Sequence, residues 1–286
     1  TLYSYTSYET ICSEGGGGSG GDTGDAGYGG DSGGGGSGAI NQYEDVIVED
    51  IANAIEDNID DTQLDPCHKG VFTAVKNTSV CDIAEVLAKL NANGSLYNTI
   101  IKSEVAPSGA PAQTVRNSAY NYTTYISTDY AGKTKLFIAA SIFHEMVHAY
   151  FMSLFDDYYN ANPPNLNAYN DFAGLFHHYV TLRNPDSVNA ADVHHQQMAT
   201  DYVDAIARAL QEYQTGIPVP IGTSTNQIYS DLEWGGLSEA PVFDVLFPVG
   251  SSAAQRIKNR YASEQTGHTI GQGTLQEQTQ IGQPCN

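Results

Sequence analysis

One short motif in this chain combines residue types and a spacing that are suited to chemistry: His144-Glu145-Met146-Val147-His148. In a helix, residues four apart lie on the same face, one turn apart, so both imidazoles can hold one Zn²⁺ ion at about 2.0–2.1 Å. Glu145 then lies beside the metal without binding it, and it can take a proton from a water molecule that the metal activates. Composition alone predicts only about 0.01 such HExxH motifs in the chain, so a chance match is rare.

The motif lies within the longest apolar stretch, and the pattern predicts a helix over residues 136–155. Apolar residues would bury this helix almost all round, and two imidazoles and a carboxylate are costly to bury unless something binds them. Three ionisable groups also argue against a membrane span, where they would cost several kcal/mol. The alternative is an exposed polar stripe, for which the apolar residues leave little room. These residues are Leu136, Ile138, Ala139, Ile142, Phe143, Met146, Val147, Tyr150, Phe151 and Leu154.

A catalytic zinc site needs a third protein ligand and one open coordination position. The extended metzincin signature requires Gly and His at two positions where this chain has Phe151 and Leu154, so that subclass is excluded. Thermolysin-like sites use a downstream Glu as the third ligand. No Glu occurs between Glu145 and Glu212, so a histidine is the expected ligand.

Two histidine pairs downstream of the motif are candidates for this third ligand. His194-His195 begins a helix predicted over Asp192–Tyr213, whose apolar stripe starts at Met198. We favour His195, which lies three residues before Met198, and His194 is the second choice. The pair His177-His178 is the remaining alternative, and packing beneath neighbouring aromatic residues would also explain it.

The segment His144–Tyr150, followed by His194–Met198, resembles the SprT-like group of zincin metallopeptidases. The pattern of that group is HExxHA with an aromatic or aliphatic residue, then a third His at the start of a downstream helix. The segment Leu232–Leu237, with its Trp-Gly-Gly-Leu, is also similar to uncharacterised zincin-like surface proteins of Bacteroidetes.

This resemblance implies that His144, His148 and His195 bind Zn²⁺ and that Glu145 is the general base of peptide-bond hydrolysis. The chain departs from the group in its long gap between the second and third ligands, which holds a helix predicted over residues 166–182. It also carries 33 acidic and only 12 basic residues, a net charge of −21. Such a charge repels phosphate backbones and anionic lipid, so no nucleic-acid partner is expected.

Further elements of a peptidase cleft are expected around the motif. Tyr120–Ser127 alternates aromatic residues with Thr, which predicts a strand. In zincins an edge strand beside the cleft pairs with an extended peptide substrate, and this strand is placed for that role or, alternatively, for a core position.

A hydroxyl that stabilises the oxyanion is expected opposite the metal. Tyr150, Tyr202 and Tyr229 are candidates, and nothing in the sequence chooses among them.

The remaining pattern predicts an α+β fold, a helix-dominated zincin-like metallopeptidase domain with a small sheet. The boundaries of the elements follow apolar periodicity and Gly, Pro and Asn stop signals. Helices are predicted over Val46–Ile59, Asp65–Val75, Asp82–Leu90, Leu166–Leu182, Asp192–Tyr213, Val242–Leu246 and Ala253–Tyr261, a strand over Leu96–Val105, a break over Pro107–Pro111 and a turn at Trp234–Leu237.

Composition divides the chain into four segments. Residues 15–38 contain 15 of the 29 glycines. Glycine has no side chain to bury and loses the most backbone entropy on folding, so this segment is predicted to be a flexible linker after a short N-terminal segment, residues 1–14. Residues 40–262 form the predicted metallopeptidase domain, and residues 263–286 are a Gln-rich, polar, extended tail.

Four cysteines are present, and none forms a CxxC pair that would indicate a structural zinc site. The 14-residue separation of Cys67 and Cys81 suits a local disulfide, and Cys12 with Cys285 can join the two ends. Disulfides form in oxidising compartments, so a secreted or cell-surface location is expected.

The sequence therefore favours a secreted or cell-surface zinc metallopeptidase that acts on peptide or protein substrates. One alternative is a structural or adhesive surface component that keeps a zincin fold but cleaves little, with the glycine-rich segment contacting a surface-assembly partner. Another is a metal-dependent amidase acting on cell-wall peptides, because the same water activation serves any amide. His68 and His268 stand apart from these patterns and are expected at the surface.

Overall fold

The computed structural model describes residues 59–80, 90, 97–130, 132–159, 199, 202–220 and 222–285. In these ranges the chain combines helices with one four-stranded sheet, so the α+β prediction is confirmed at that level. The predicted N-terminal segment, the glycine-rich linker and the helices predicted over 46–58, 82–89, 166–182 and 192–198 lie outside the described residues.

The described elements follow one another along the chain as strands first and mostly helices afterwards. They are β1 (Ile59–Gln63), α1 (Pro66–Lys76), β2 (Asn98–Ser103), β3 (Ala112–Ser118), β4 (Asn121–Ile126), α2 (Lys135–Tyr159), α3 (Val203–Thr215), α4 (Gln227–Gly236), α5 (Pro241–Leu246) and α6 (Ser252–Thr266).

The sheet has the strand order β1-β2-β4-β3, in which only the β3–β4 pair is antiparallel. The strand predicted over Tyr120–Ser127 is confirmed as β4, but it lies inside the sheet, so the core-strand alternative is correct and the edge-strand prediction is wrong. The edge beside β4 is β3, which the sequence did not predict. Ile59 begins β1 and is not the last residue of a helix that starts at Val46.

Helix α2 is the central helix of the fold. It packs against β3 and β4 on one side and against α1, α3, α4 and α6 on the others. Between residues 136 and 149 all side chains are buried except Ser141, His144 and His148. These three follow one another at spacings of three and four, so they form one stripe along the helix. The predicted burial is therefore confirmed over residues 136–149, with one polar opening; Tyr150 is half-buried, and the side chains of Phe151 and Leu154 are not described.

Local signals determine the bounds of the shorter helices. Asp65 caps α1 by accepting hydrogen bonds from the backbone N–H groups of Cys67 and His68 at 2.9 and 3.0 Å, and Pro66 occupies the first turn. Ser251 caps α6 in the same way through Ala254. The helices predicted near these residues and over 242–246 are confirmed in position.

Two other predictions near α3 and α4 are confirmed only in part. The helix predicted over Asp192–Tyr213 is confirmed as α3 from Val203 onward; Tyr202 before it is a turn residue, and residues 192–198 lie outside the described part of the chain. The turn predicted at Trp234–Leu237 begins only at Leu237, because α4 continues through Gly236.

A disulfide joins Cys67 in α1 to Cys285 near the end of the chain, with their Cα atoms 5.7 Å apart. The predicted Cys67–Cys81 and Cys12–Cys285 pairings are therefore wrong. Oxidation itself was predicted correctly for this pair. The partners are 218 residues apart in sequence, so their proximity arises from the tertiary fold.

The segment after α6, for which the sequence suggested an extended polar tail, is held against the domain. The carboxylate of Glu264, which is fully buried, accepts hydrogen bonds from Thr134 Oγ1 at 2.6 Å and from the N–H groups of Ile281 and Gly282 at 2.7 and 3.1 Å. The N–H of Lys135 donates to the Gln283 carbonyl at 2.7 Å. These bonds attach the C-terminal segment to the start of α2.

His68 was expected at the surface and is instead buried, with 3% of its area exposed. Its Nδ1 lies 2.7 Å from Ser103 Oγ and 2.8 Å from an Asp65 carboxylate oxygen. Burial and the nearby charge of Lys133 lower the pKa of His68 to about 4, although Asp65 opposes the change. Burial likewise lowers the pKa of Lys133 to about 8. His268 is exposed, as predicted.

In the described part of the chain, no helix is both long enough and apolar enough to cross a bilayer. Helix α2 has 25 residues but carries the polar stripe described above.

Candidate metal centre

The two histidines of the HExxH motif face each other from successive turns of α2. The Nε2 atoms of His144 and His148 are 2.9 Å apart, and the ring centroids are 4.6 Å apart with an angle of 73° between the planes. Two imidazoles that share a tetrahedral zinc ion place their nitrogens about 3.3–3.4 Å apart. The pair is therefore within a few tenths of an ångström of the arrangement that chelation requires.

Glu145 completes a cluster with both histidines, because one possible ligand atom from each residue lies within 4.8 Å of the other two. The Oε2 atom of Glu145 is buried and has no hydrogen-bond partner among the described residues. A buried carboxylate oxygen without a partner is costly unless a cation, a water molecule or a ligand satisfies it. Two imidazoles beside a carboxylate are also a donor set that zinc prefers, so the residues present fit a zinc ion.

Burial and neighbouring groups have opposite effects on the pKa of the Glu145 carboxyl group. Burial raises its pKa, while the charge of His144 and hydrogen bonding with Thr114 act to lower it, and the net result is a raised pKa. Thr114 also connects β3 to the motif directly, since its hydroxyl donates to the backbone carbonyl of Glu145 at 3.1 Å. A carboxyl group with a raised pKa is suited to accept and release a proton near neutral pH.

The motif opens into a cleft with a volume of about 490 Å³. One wall is β3 with the loop before it, the floor is α2, and the opposite wall consists of α4, the residues that follow it, and α6. The lining residues are Ser108, Ala110, Pro111, Ala112, Gln113, Thr114, Ala140, Ser141, His144, Glu145, His148, Leu232, Glu233, Gly235, Gly236, Ser238, Glu239, Tyr261 and Gln265.

The β3 wall is the edge of the described sheet, and three of its residues line the cleft. Its register is fixed by the β4 pairing, in which Thr114 lies opposite Thr124 and their hydroxyls are 2.9 Å apart. Because Thr114 also bonds to Glu145, the strand is held at a defined position beside the HExxH motif. The sequence analysis did not find β3.

A second carboxylate, Glu233 of α4, contacts the first histidine. Its Oε1 lies 3.3 Å from His144 Nδ1, and only 2% of its side-chain area is exposed. Burial acts to lower the pKa of His144, but the hydrogen bond and charge of Glu233, with the charge of Glu145, outweigh it and raise this pKa. The sequence analysis missed Glu233. One feature of the sequence could have indicated this residue. Glu233 directly follows Leu232, so an acidic residue lies on the apolar face of a short amphipathic stretch.

Two contacts between α4 and α6 determine where Glu233 lies. The carboxylate of Asp231 accepts two hydrogen bonds from Arg256, at 2.7 and 3.0 Å. One turn later, Gly235 packs directly on the ring of Tyr261. A Cβ atom at Gly235 would lie 2.4 Å from the Tyr261 Cβ, so no larger residue fits without a shift of one helix. This close approach explains why position 235 of α4 is a glycine.

Tyr261 is a further residue of the cleft that the sequence analysis missed. Its side chain lines the cleft, and burial, together with the charges of Glu233 and Glu145, raises its pKa, so its hydroxyl remains protonated. The three tyrosines proposed from the sequence do not line the cleft in the described part of the chain: Tyr150, Tyr202 and Tyr229 are absent from its wall.

The structure brings together three of the four predicted site residues, namely His144, Glu145 and His148. The predicted third ligand, His195, and its alternatives His194, His177 and His178 lie outside the described residues.

Comparison with known proteins adds no family assignment. No family model matches this chain, and neither the curated proteins nor the solved structures contain a significant match.

Proposed function

We propose that this chain is a zinc-dependent metallopeptidase with a zincin-like domain, in which His144 and His148 bind the metal and Glu145 is the general base. The observation that carries the proposal is the pair of Nε2 atoms 2.9 Å apart in a cleft, beside a buried carboxylate oxygen that has no hydrogen-bond partner in the described part of the chain. His195 is proposed as the third ligand.

Zinc, when bound, supplies a Lewis acid that polarises a carbonyl group and lowers the pKa of water. Glu145 does the proton transfer. Its carboxylate takes a proton from the attacking water and delivers it to the leaving amine nitrogen, as the peptide bond breaks.

The β3 edge provides a place for an extended peptide. An edge strand exposes backbone N–H and C=O groups, and a peptide that pairs with them is held in register by main-chain hydrogen bonds. Three β3 residues line the cleft, and Thr114 links that strand to the general base. The described lining contains three Glu residues and no Lys or Arg, so we expect neutral or basic residues near the scissile bond.

Tyr261 is proposed as the hydroxyl that stabilises negative charge on the carbonyl oxygen. A preorganised donor is most useful in a cleft from which much of the water is excluded. The side chain of Tyr261 lines the same cleft as three β3 residues, and burial with the charges of Glu233 and Glu145 raises its pKa, which keeps the phenol protonated.

The Cys67–Cys285 disulfide supports a secreted or cell-surface location, because structural disulfides persist in oxidising compartments.

The test is hydrolysis of a broad peptide library by the zinc-loaded protein, with Glu145→Gln as the variant and Glu239→Gln as the matched control. Glu239 lines the same cleft but is exposed and lies outside the ligand cluster. We expect Glu145→Gln to lose at least about 10³-fold in kcat while it retains zinc, and Glu239→Gln to stay within about fivefold.

Equal digestion by wild type and Glu145→Gln would contradict the proposal. Zinc binding without cleavage of any library member by wild type would instead favour the structural or adhesive alternative. Cleavage confined to cell-wall peptides would favour the amidase.

A further inference from the structure

We infer that Glu233 is the positioning residue of the metal centre: it accepts the Nδ1–H of His144, and so it fixes the tautomer in which the Nε2 lone pair faces the site. This inference rests on the proposed metal function. It assigns a role to a residue that lies 88 positions after Glu145 in sequence and reaches the site through a different helix.

The two nitrogens of His144 have separate partners. Nε2 lies 2.9 Å from His148 Nε2, on the side where the ligand atoms converge, and Nδ1 lies 3.3 Å from Glu233 Oε1. The cluster of possible ligand atoms within 4.8 Å contains His144, Glu145 and His148 but not Glu233. Glu233 therefore contacts the ring from behind and does not compete for the metal.

The tautomer follows from this contact. A carboxylate only accepts hydrogen bonds, so a proton must reside on Nδ1 of His144 if the contact is to be favourable. A neutral imidazole with its proton on Nδ1 has its lone pair on Nε2, which is the form that binds a metal. A carboxylate behind a ligating histidine also holds the ring orientation and strengthens the ligand.

The burial of the Glu233 carboxylate is difficult to explain without a role at His144. Its side chain is almost fully buried, and its one hydrogen bond among the described residues is to His144. A carboxylate in this position is costly without a partner, and a structural role alone would be served better by an apolar side chain. The rigid attachment of α4 to α6, through Arg256 and Tyr261, keeps the carboxylate in place.

The experiment measures zinc affinity of the full chain by competition with a chromophoric chelator, for wild type, Glu233→Gln, Glu233→Ala and Glu212→Gln. Glu212 is the matched control, because its carboxylate accepts hydrogen bonds from Thr78 and Ser79 and lies outside the cleft lining and the ligand cluster. We expect a 10–100-fold weaker Kd for Glu233→Ala. Glu233→Gln, which retains an acceptor oxygen, is expected between that value and wild type, and Glu212→Gln within about threefold of wild type.

Cobalt substitution provides a readout that separates positioning from ligation. At saturating Co²⁺, the visible absorption spectra of the Glu233 variants should match that of wild type, because no ligand is lost. A spectrum that reports a different coordination number in Glu233→Ala would make Glu233 a ligand and would overturn the inference.

The remaining outcomes are also decisive. Unchanged zinc affinity in both Glu233 variants, beside a wild type that binds zinc, would overturn this inference and leave the proposed function standing. A wild type that binds no zinc would overturn the proposed function and the inference together. If Glu233→Ala does not fold, as judged by circular dichroism of the metal-free chain, the nearly isosteric Glu233→Gln still provides the comparison.

Discussion

Two regions of this molecule bury ionisable groups, and they differ in open space and in how completely the buried polar atoms are hydrogen-bonded. At the proposed metal centre, His144, Glu145 and Glu233 line a cleft of about 490 Å³, and an oxygen of Glu145 has no partner among the described residues. Beneath the disulfide, His68 is packed against Asp65 and Ser103, with no buried side-chain atom of these three left unsatisfied.

The contrast shows that burial and a shifted pKa do not by themselves mark a functional site. Both regions have histidines whose pKa is displaced, upward for His144 and downward for His68. The difference lies in accessible space and in unsatisfied atoms. A structural cluster satisfies its own groups, while a binding site leaves room and donors for something else. Variants in the first region should therefore change chemistry, and variants in the second should change stability.

The largest effect on stability is expected from removal of the disulfide. The Cys67–Cys285 bridge closes a loop of 218 residues, and loop-closure entropy alone gives about 5 kcal/mol for such a length, so Cys67→Ser with Cys285→Ser should lower the free energy of unfolding by about 3–5 kcal/mol. Urea unfolding with tryptophan fluorescence measures this change.

The same double variant sharpens the comparison between the regions. At 25 °C, the fraction that remains folded should bind zinc and cleave peptides within about twofold of wild type, because neither cysteine lines the cleft. If the double variant lost zinc binding while its free energy of unfolding was unchanged, the disulfide region and the cleft would not be independent of each other.

A smaller, pH-dependent effect is expected from His68. Its pKa is about 4 in the folded protein and about 6.5 when unfolded, so between these values the unfolded chain binds a proton that the folded chain does not. Stability should fall by up to about 3 kcal/mol as the pH decreases through this window. The stability that neutral His68 contributes is fully present above pH 6.5.

The measurement is urea unfolding of the metal-free protein at several pH values from 4.5 to 7.5. His68→Gln should remove most of the pH dependence assigned to this window, and His268→Gln, which alters an exposed histidine, should not. Parallel curves for wild type and His68→Gln would contradict a neutral, buried His68.

The smallest of these effects is expected at Tyr261. Replacing it with Phe keeps the ring against Gly235 and removes the hydroxyl from the cleft. We expect kcat to fall about 10–100-fold, with KM and zinc content little changed, because the hydroxyl acts mainly on the transition state. The matched variant Tyr229→Phe, outside the cleft wall, should leave kcat within about twofold. An unaltered kcat in Tyr261→Phe would remove this residue from the mechanism.

Features with local causes were predictable from the sequence. Helix α2 follows from its apolar run, α1 from the Asp65-Pro66 start, and the paired histidines from their spacing of four. Each of these signals lies within a few residues of the structure it causes, so periodicity and capping are sufficient to find it.

Features with distant causes were not predictable. Strands β1 and β3 are the edges of the sheet and are largely polar, so the alternation of apolar and polar residues in them is weak. Gly235 resembles a turn residue until Tyr261, 26 positions later, is known to pack on it. Glu233 and the Cys67–Cys285 pair are likewise defined by contacts between remote segments, which spacing does not encode.

The central claim, that paired histidines on α2 bind one zinc ion, is tested most directly by the zinc content of the purified full chain after saturation and exhaustive dialysis. Wild type and His268→Gln should each retain about one zinc per chain, and His148→Gln, which removes one of the facing rings, should retain almost none. Equal zinc in wild type and His148→Gln, or none in wild type, would contradict the claim.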